Sequence, residues 1–144
     1  MEEQISNNFT LKELTSSSTA KRLKIDNTPT QQEYNNLVRL VKEILQPIRN
    51  KYGKAIIISS GFRNKRLNKA VGGASSSQHL TGQAADIHSV SDSRKDNKEL
   101  FILIEDMIKQ GEIKVGQLIN EYNYDWIHIS LPTSTKLNQI FKIG

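Results

Sequence analysis

Apolar residues recur at helical spacing between residues 30 and 53, where Tyr34, Leu37, Val38, Val41, Leu45 and Ile48 fall on one stripe. Thr30 stands three residues ahead of Glu33, the spacing of a capping box, so the helix is expected to begin there. Pro47 is expected to kink or end it, and Gly53 to mark its exit. The same device opens "FTLKELTSSSTAKRLK": Thr10 precedes Glu13, with Phe9 and Leu14 placed as a hydrophobic staple. "AIIISS" is a short β-branched run and reads as a buried strand. "NKRLNKAV" reads as a short helix closed by Gly72 and Gly73, and "GGASSSQHLTGQ" as a loop. "AADIHSV" reads as a second strand. In "DNKELFILIEDMIKQG", Leu100, Phe101, Leu103, Ile104, Met107 and Ile108 share one broad helical face. Strands follow in "VGQLINEY" and "DWIHISL", then a short C-terminal segment.

Helices come first and strands cluster late, which predicts an α+β fold: a small, largely antiparallel sheet with helices packed on one side. At 144 residues, without repeats or low-complexity linkers, the expectation is one domain over 1–144. Its parts would be a helical lead-in over 1–54 and a core over 55–131.

Composition narrows the chemistry. There is no cysteine, which excludes disulfides, thiolate metal sites and thiol nucleophiles. Any metal must therefore be held by imidazole and carboxylate, a donor set that favours zinc of the catalytic type over a structural zinc finger. Net charge is +5, a surface suited to polyanions, whether nucleic acid, acidic lipid headgroups or an anionic cell wall, and it names no particular partner. The basic residues are scattered and aromatic content is 6%, so specific nucleic-acid reading is not expected. No apolar run is long enough to span a bilayer, and "MEEQISNNFTLKEL" lacks a signal-peptide pattern.

Strand alternation locates candidate ligands. In "AADIHS", Ala85 and Ile87 point one way, Asp86 and His88 the other. In "DWIHIS", Ile127 and Ile129 point to the core while Trp126, His128 and Ser130 share the opposite face. If the two strands are neighbours, Asp86 and His128 come within coordination reach, with His79 arriving from the preceding loop. Two histidines and one carboxylate leave a zinc position open for water, as hydrolysis requires. Taken singly, each of the three reads as structural.

Ser77, His79, Gly82, Ala84 and Asp86 reproduce the S-x-H-x-x-G-x-A-x-D pattern, and in this the chain resembles the zinc D-Ala-D-Ala carboxypeptidase family. That family includes cell-wall carboxypeptidases, vancomycin-resistance dipeptidases and phage endolysins, and shares its fold with the Hedgehog signalling domain. "SSGFR" at 59–63 is similar to the family's strand ending in a substrate-binding arginine, and "DWIH" at 125–128 to its closing motif. The resemblance implies a Hedgehog/DD-peptidase-like fold with one Zn2+ per chain held by His79, Asp86 and His128. It makes Asp125 the general base and then acid, with Glu121 as the rival carboxylate. Arg63 would hold a substrate carboxylate or polarise a carbonyl, Ser77 would touch the bound peptide, and Gly82 would permit a turn. Trp126 stands where some relatives carry a further histidine, and reads as a wall of the cleft. His88 is not part of the pattern and reads as a supporting or solvated histidine.

The implied activity is zinc-dependent hydrolysis of peptide bonds in peptidoglycan stem peptides, as a D-Ala-D-Ala carboxypeptidase or endopeptidase of endolysin type. The alternative is a non-catalytic, zinc-stabilised cell-wall-binding or phage structural module of the same fold. The expected partner is the stem peptide, with anionic wall polymers, no specific nucleic acid, no membrane insertion and a monomeric state. Synthesis in the cytoplasm, followed by phage-type release or non-classical export to the wall, is the matching expectation for location.

Overall fold

The computed structural model describes residues 3–144. A two-stranded hairpin, β1 (Gln4–Ser6) and β2 (Phe9–Thr10), leads into α1 (Leu11–Thr15) and α2 (Ser18–Leu23). Thr10 and Glu13 form the expected capping box, and Phe9 and Leu14 are both buried. The lead-in is nevertheless broken between the two helices. Ser16 leaves helical space at ψ 140° with its hydroxyl donating to Lys12 O, and Ser17 caps the next helix by accepting from Ala20 N–H. Serine hydroxyls compete with the helical backbone in this way, and the run of them ends one helix and starts another.

The second capping box, Thr30 with Glu33, starts α3 (Gln31–Leu40), which runs through a π-helical turn (Val41–Leu45) into α4 (Gln46–Tyr52). Pro47 does not end the helix. It lies in the first turn of α4, and the preceding π turn, with Gln46 N–H bonded to Val41 O, carries the chain past it. The missing proline N–H is thus placed where the hydrogen-bond ladder is already interrupted. Gly53 closes the helix at φ 73°.

Next come β3 (Ile56–Ser60), α5 (Lys65–Ala70), a 3₁₀ turn (Gln78–Thr81), β4 (Ala84–Ser89) and α6 (Arg94–Lys109). The chain ends with β5 (Gln117–Glu121), β6 (Trp126–Ser130) and β7 (Gln139–Ile143). The sheet order is β3-β4-β6-β5-β7. Three of its neighbouring pairs are antiparallel, but β7 runs parallel to β5. The C-terminal segment is therefore a sheet strand and the sheet is mixed. Asn138 locks the crossover, its N–H donating to Val115 O at 2.6 Å and its Oδ1 accepting from Val115 N–H at 3.0 Å.

One face of the sheet is apolar. Ala85, Ile87, Leu118, Ile127 and Ile129 have no solvent exposure, and they pack with Leu100 and Ile104 of α6 and with Leu37, Leu40, Ile44 and Ile48 of the α3–α4 helix. Burial of this face fixes the pairing register, since a slip by one residue would turn every apolar side chain outward. The α+β architecture agrees with the sequence reading, and the face opposite the core is left free for polar side chains.

Candidate metal centre

The pairing register sets Ser60, Asp86, His128, Ile119 and Phe141 side by side in one row across the sheet. Alternation sends Asp86 and His128 to the polar face, where they are direct cross-strand partners. His79 arrives from the 3₁₀ turn that precedes β4. Ser77 caps that turn by accepting from His79 N–H at 3.1 Å. Gly82 ends it at φ 76°, and a Cβ there would stand 2.5 Å from Glu33 O of α3, so both the backbone conformation and the close approach call for glycine.

The three side chains converge. Asp86 Oδ1 lies 3.3 Å from His79 Nε2 and 3.0 Å from His128 Nδ1. One ligand atom from each residue lies within 4.8 Å of the others, so the group can hold a metal ion. His79 is nearly fully buried, and its Nδ1 lies 2.7 Å from the carbonyl oxygen of Gly61. A carbonyl only accepts, so Nδ1 carries a proton; in the metal-free protein Nε2 faces Asp86, and with a metal bound it would offer its lone pair to the centre instead. This is the orienting contact that metal-ligating histidines characteristically make. Burial works against ionisation of Asp86, but hydrogen bonds from His128 and His79, followed by their charge, outweigh it and hold the carboxyl well below the usual carboxylate range. The donors are therefore an anionic oxygen and two ring nitrogens, a fit to zinc in both number and kind.

These residues form part of the wall of an open cavity of about 530 Å³, lined also by Arg63, Ser77, Glu121, Tyr122, Trp126 and Lys136. Arg63 N–H donates to His79 O at 3.1 Å, and its Nη1 to Ser60 Oγ at 3.2 Å. Asn27 anchors this loop, its Nδ2 donating to Phe62 O and its Oδ1 accepting from Asn64 N–H. Burial pulls the Arg63 guanidinium below its ordinary value, partly offset by Asp86 and Glu121, and its Nε has no hydrogen-bond partner among the described residues. Ser77 lines the cavity while its hydroxyl caps the His79 turn. Trp126 lines it too, donating from Nε1 to Glu121 Oε2 at 3.1 Å and packing on Tyr122 with ring centroids 5.2 Å apart.

Asp125 does not line the cavity. Its carboxylate is half-exposed and lies 4.0 Å from Arg94 Nη2 of α6, on the helix side of the sheet. Asn97 of α6 reaches its carbonyl at 3.4 Å. The carboxylate on the cavity side is Glu121, the cross-strand partner of Trp126. Burial, reinforced by the Asp86 charge, pushes the Glu121 carboxyl above its ordinary value. Alternation along "QLINE" already carried this signal, because it puts Gln117, Ile119 and Glu121 on the face opposite buried Leu118 and Asn120. Tyr122 and Lys136 were not foreseen as cavity residues. Tyr122 opens a turn in which Tyr122, Asn123 and Tyr124 all have positive φ, and Lys136 sits in the loop before the unforeseen β7. His88 points along the polar face but away from the cavity, with Nδ1 2.7 Å from Ser89 O and 3.4 Å from Asp92 Oδ1.

Two imidazoles and one carboxylate on a sheet face, at the wall of an open cavity, are the donor set of mononuclear zinc hydrolases. Residues 7–130 match the model of the family Peptidase M15, and the chain belongs to that family. Its members are zinc-dependent peptidases, so the class is zinc metallopeptidase. No curated protein matches the chain.

Proposed function

We propose that this chain hydrolyses peptide bonds in the stem peptides of bacterial peptidoglycan, with one Zn2+ held by His79, Asp86 and His128. The observation that carries this reading is the convergence of those three side chains beside a second carboxylate and a guanidinium in one open cavity. Zinc bound there would supply a water of lowered pKa and polarise the scissile carbonyl.

The other roles follow from the protein's own groups. Glu121, rather than Asp125, takes the proton from the attacking water and later passes it to the leaving amine, since it alone of the two borders the cavity. Its raised proton affinity suits that exchange. Trp126 holds Glu121 Oε2 in place and leaves Oε1 free. Arg63, anchored through its backbone to His79 O, presents its fork of donors to a substrate carboxylate or carbonyl. Ser77 supports the His79 turn and borders the bound peptide. The net positive charge favours approach to anionic wall polymers, in keeping with an endolysin-type enzyme released to the wall.

The test is chelation followed by zinc restoration, with mass spectrometry of fragments released from defined muropeptides. Hydrolysis should vanish with the metal and return with it, and the fragments identify the bond. Turnover that survives complete metal removal refutes the reading.

A further inference from the structure

The cavity holds a cation with no evident role in the hydrolytic chemistry. Lys136 lies in the loop between β6 and β7, and it is the one partly buried lysine of the described chain; every other lysine there is exposed. Lys136 borders the cavity and forms no ion pair with a described residue. The loop that presents it is fixed on its own. Thr133 N–H donates to Lys136 O at 2.9 Å, Lys136 N–H returns to Thr133 Oγ1 at 3.1 Å, and Asn138 ties the following residues to Val115.

Topology places Lys136 and Arg63 on opposite flanks of the ligand set. Arg63 follows β3 at one edge of the sheet and Lys136 precedes β7 at the other, while Asp86 and His128 lie on β4 and β6 between them. Lys136 also stands away from Glu121. Gln139, three residues after it, pairs with Gln117, which is four residues and about 13 Å along β5 from Glu121. The ammonium is therefore free of the catalytic carboxylate and faces the same cavity.

We propose that Lys136 is a substrate-specificity residue: it receives a carboxylate on the substrate peptide, on the flank of the scissile bond opposite the one that Arg63 serves. The preferred substrate is then an acidic peptide with anionic groups on both flanks of the bond cut. This assignment rests on the peptidase reading above, which supplies the bound peptide.

The test uses stem-peptide fragments in matched pairs that differ in one group, free carboxylate or carboxamide, placed on one flank of the scissile bond or the other. Hydrolysis of each pair is measured on the zinc-loaded protein, and binding is followed by the fluorescence of Trp126, the sole tryptophan, which borders the cavity. Wild type should prefer the carboxylate member about tenfold in kcat/KM and in Kd, the size of one charge-assisted hydrogen bond at a half-exposed site. In Lys136→Gln that preference should fall to about unity, in Lys136→Arg it should persist, and in Lys136→Glu it should invert. Added salt should weaken it in wild type alone. Both members bound and cut, with the same preference in wild type and Lys136→Gln, overturns the assignment and leaves the peptidase reading standing. Neither member bound nor cut by wild type overturns both.

Discussion

Glu121→Gln is the substitution that separates the two carboxylates near the closing motif. Glutamine keeps the size of the side chain and an acceptor oxygen for Trp126 Nε1, the contact that spans 3.1 Å in the native protein. What it loses is the capacity to take a proton. A positioned general base contributes about 10²–10⁴ in rate, so kcat should fall by that factor, or about 2.7–5.4 kcal/mol of transition-state stabilisation. KM should change little, because the substitution leaves cavity shape and zinc ligands intact. Asp125→Ala is the matched control. Its carboxylate is half-exposed and only 4.0 Å from Arg94, an ion pair of the kind worth at most a few tenths of a kcal/mol. Activity should stay within about threefold of wild type.

The assay is steady-state hydrolysis of a defined muropeptide, with zinc content measured on the same samples so that metal loss is not mistaken for loss of the base. The pH profile supplies an internal check. Glu121 must be ionised to accept a proton, so kcat/KM falls as pH drops through its native pKa. In the metal-free protein burial and the Asp86 charge raise that value, and a zinc cation bound beside it would draw it down again. Full activity in Glu121→Gln together with a hundredfold loss in Asp125→Ala would refute the assignment and return the base to the closing motif.

His128→Ala should lose both zinc and hydrolysis, measured by metal analysis and turnover, whereas Glu121→Gln retains the metal. In metal-free protein Asp86 has its native pKa depressed, so the stability it contributes is present above the ordinary aspartate range and is lost as pH falls toward the native value. Asp86→Asn should therefore flatten the decline in metal-free thermal stability below about pH 4, and an unchanged decline would contradict this. Gly82→Ala should cost about 2–4 kcal/mol in chemical denaturation, because it combines a left-handed backbone with a Cβ 2.5 Å from Glu33 O.

The elements with strong period were legible from sequence, and so was the convergence of His79, Asp86 and His128 into a group that could hold a metal ion. Capping boxes at Thr10 and Thr30 both form, and the alternation in "AADIHS" and "DWIHIS" put Asp86 and His128 on the face where they stand. The failures have physical causes. Pro47 is a helix breaker only if the i→i−4 ladder is intact, and a π turn suspends that condition locally. β7 has four of its five residues exposed and the fifth partly open on an edge strand, so no buried apolar run announces it, and its pairing with β5 is fixed by Asn138 at long range. Lys136 depends on that strand and was illegible for the same reason. For Asp125, motif spacing gives the distance along the chain but not the side of the sheet. The turn at Tyr122–Tyr124, with its positive φ values, carries the residue toward α6 and Arg94.

The ligand geometry depends on residues that never touch the cavity. Asp86 and His128 meet because β4 and β6 pair with Ala85 opposite Ile129 and Ile87 opposite Ile127. All four of those side chains are fully buried against α6 and the α3–α4 helix. A shift of the pairing by one residue would bring a carboxylate and an imidazole into that core, at several kcal/mol for each unpaired charge. The apolar face therefore selects the one register in which the opposite face carries an anionic oxygen beside a ring nitrogen. His79 has no such lattice to place it, being on a turn. It is held instead by Ser77, Gly82 and the Gly61 carbonyl, each of which acts on the backbone or ring of that single residue. Two ligands are thus positioned by the cooperative core and one by local hydrogen bonds, so loosening the turn should weaken metal binding while the sheet stays folded.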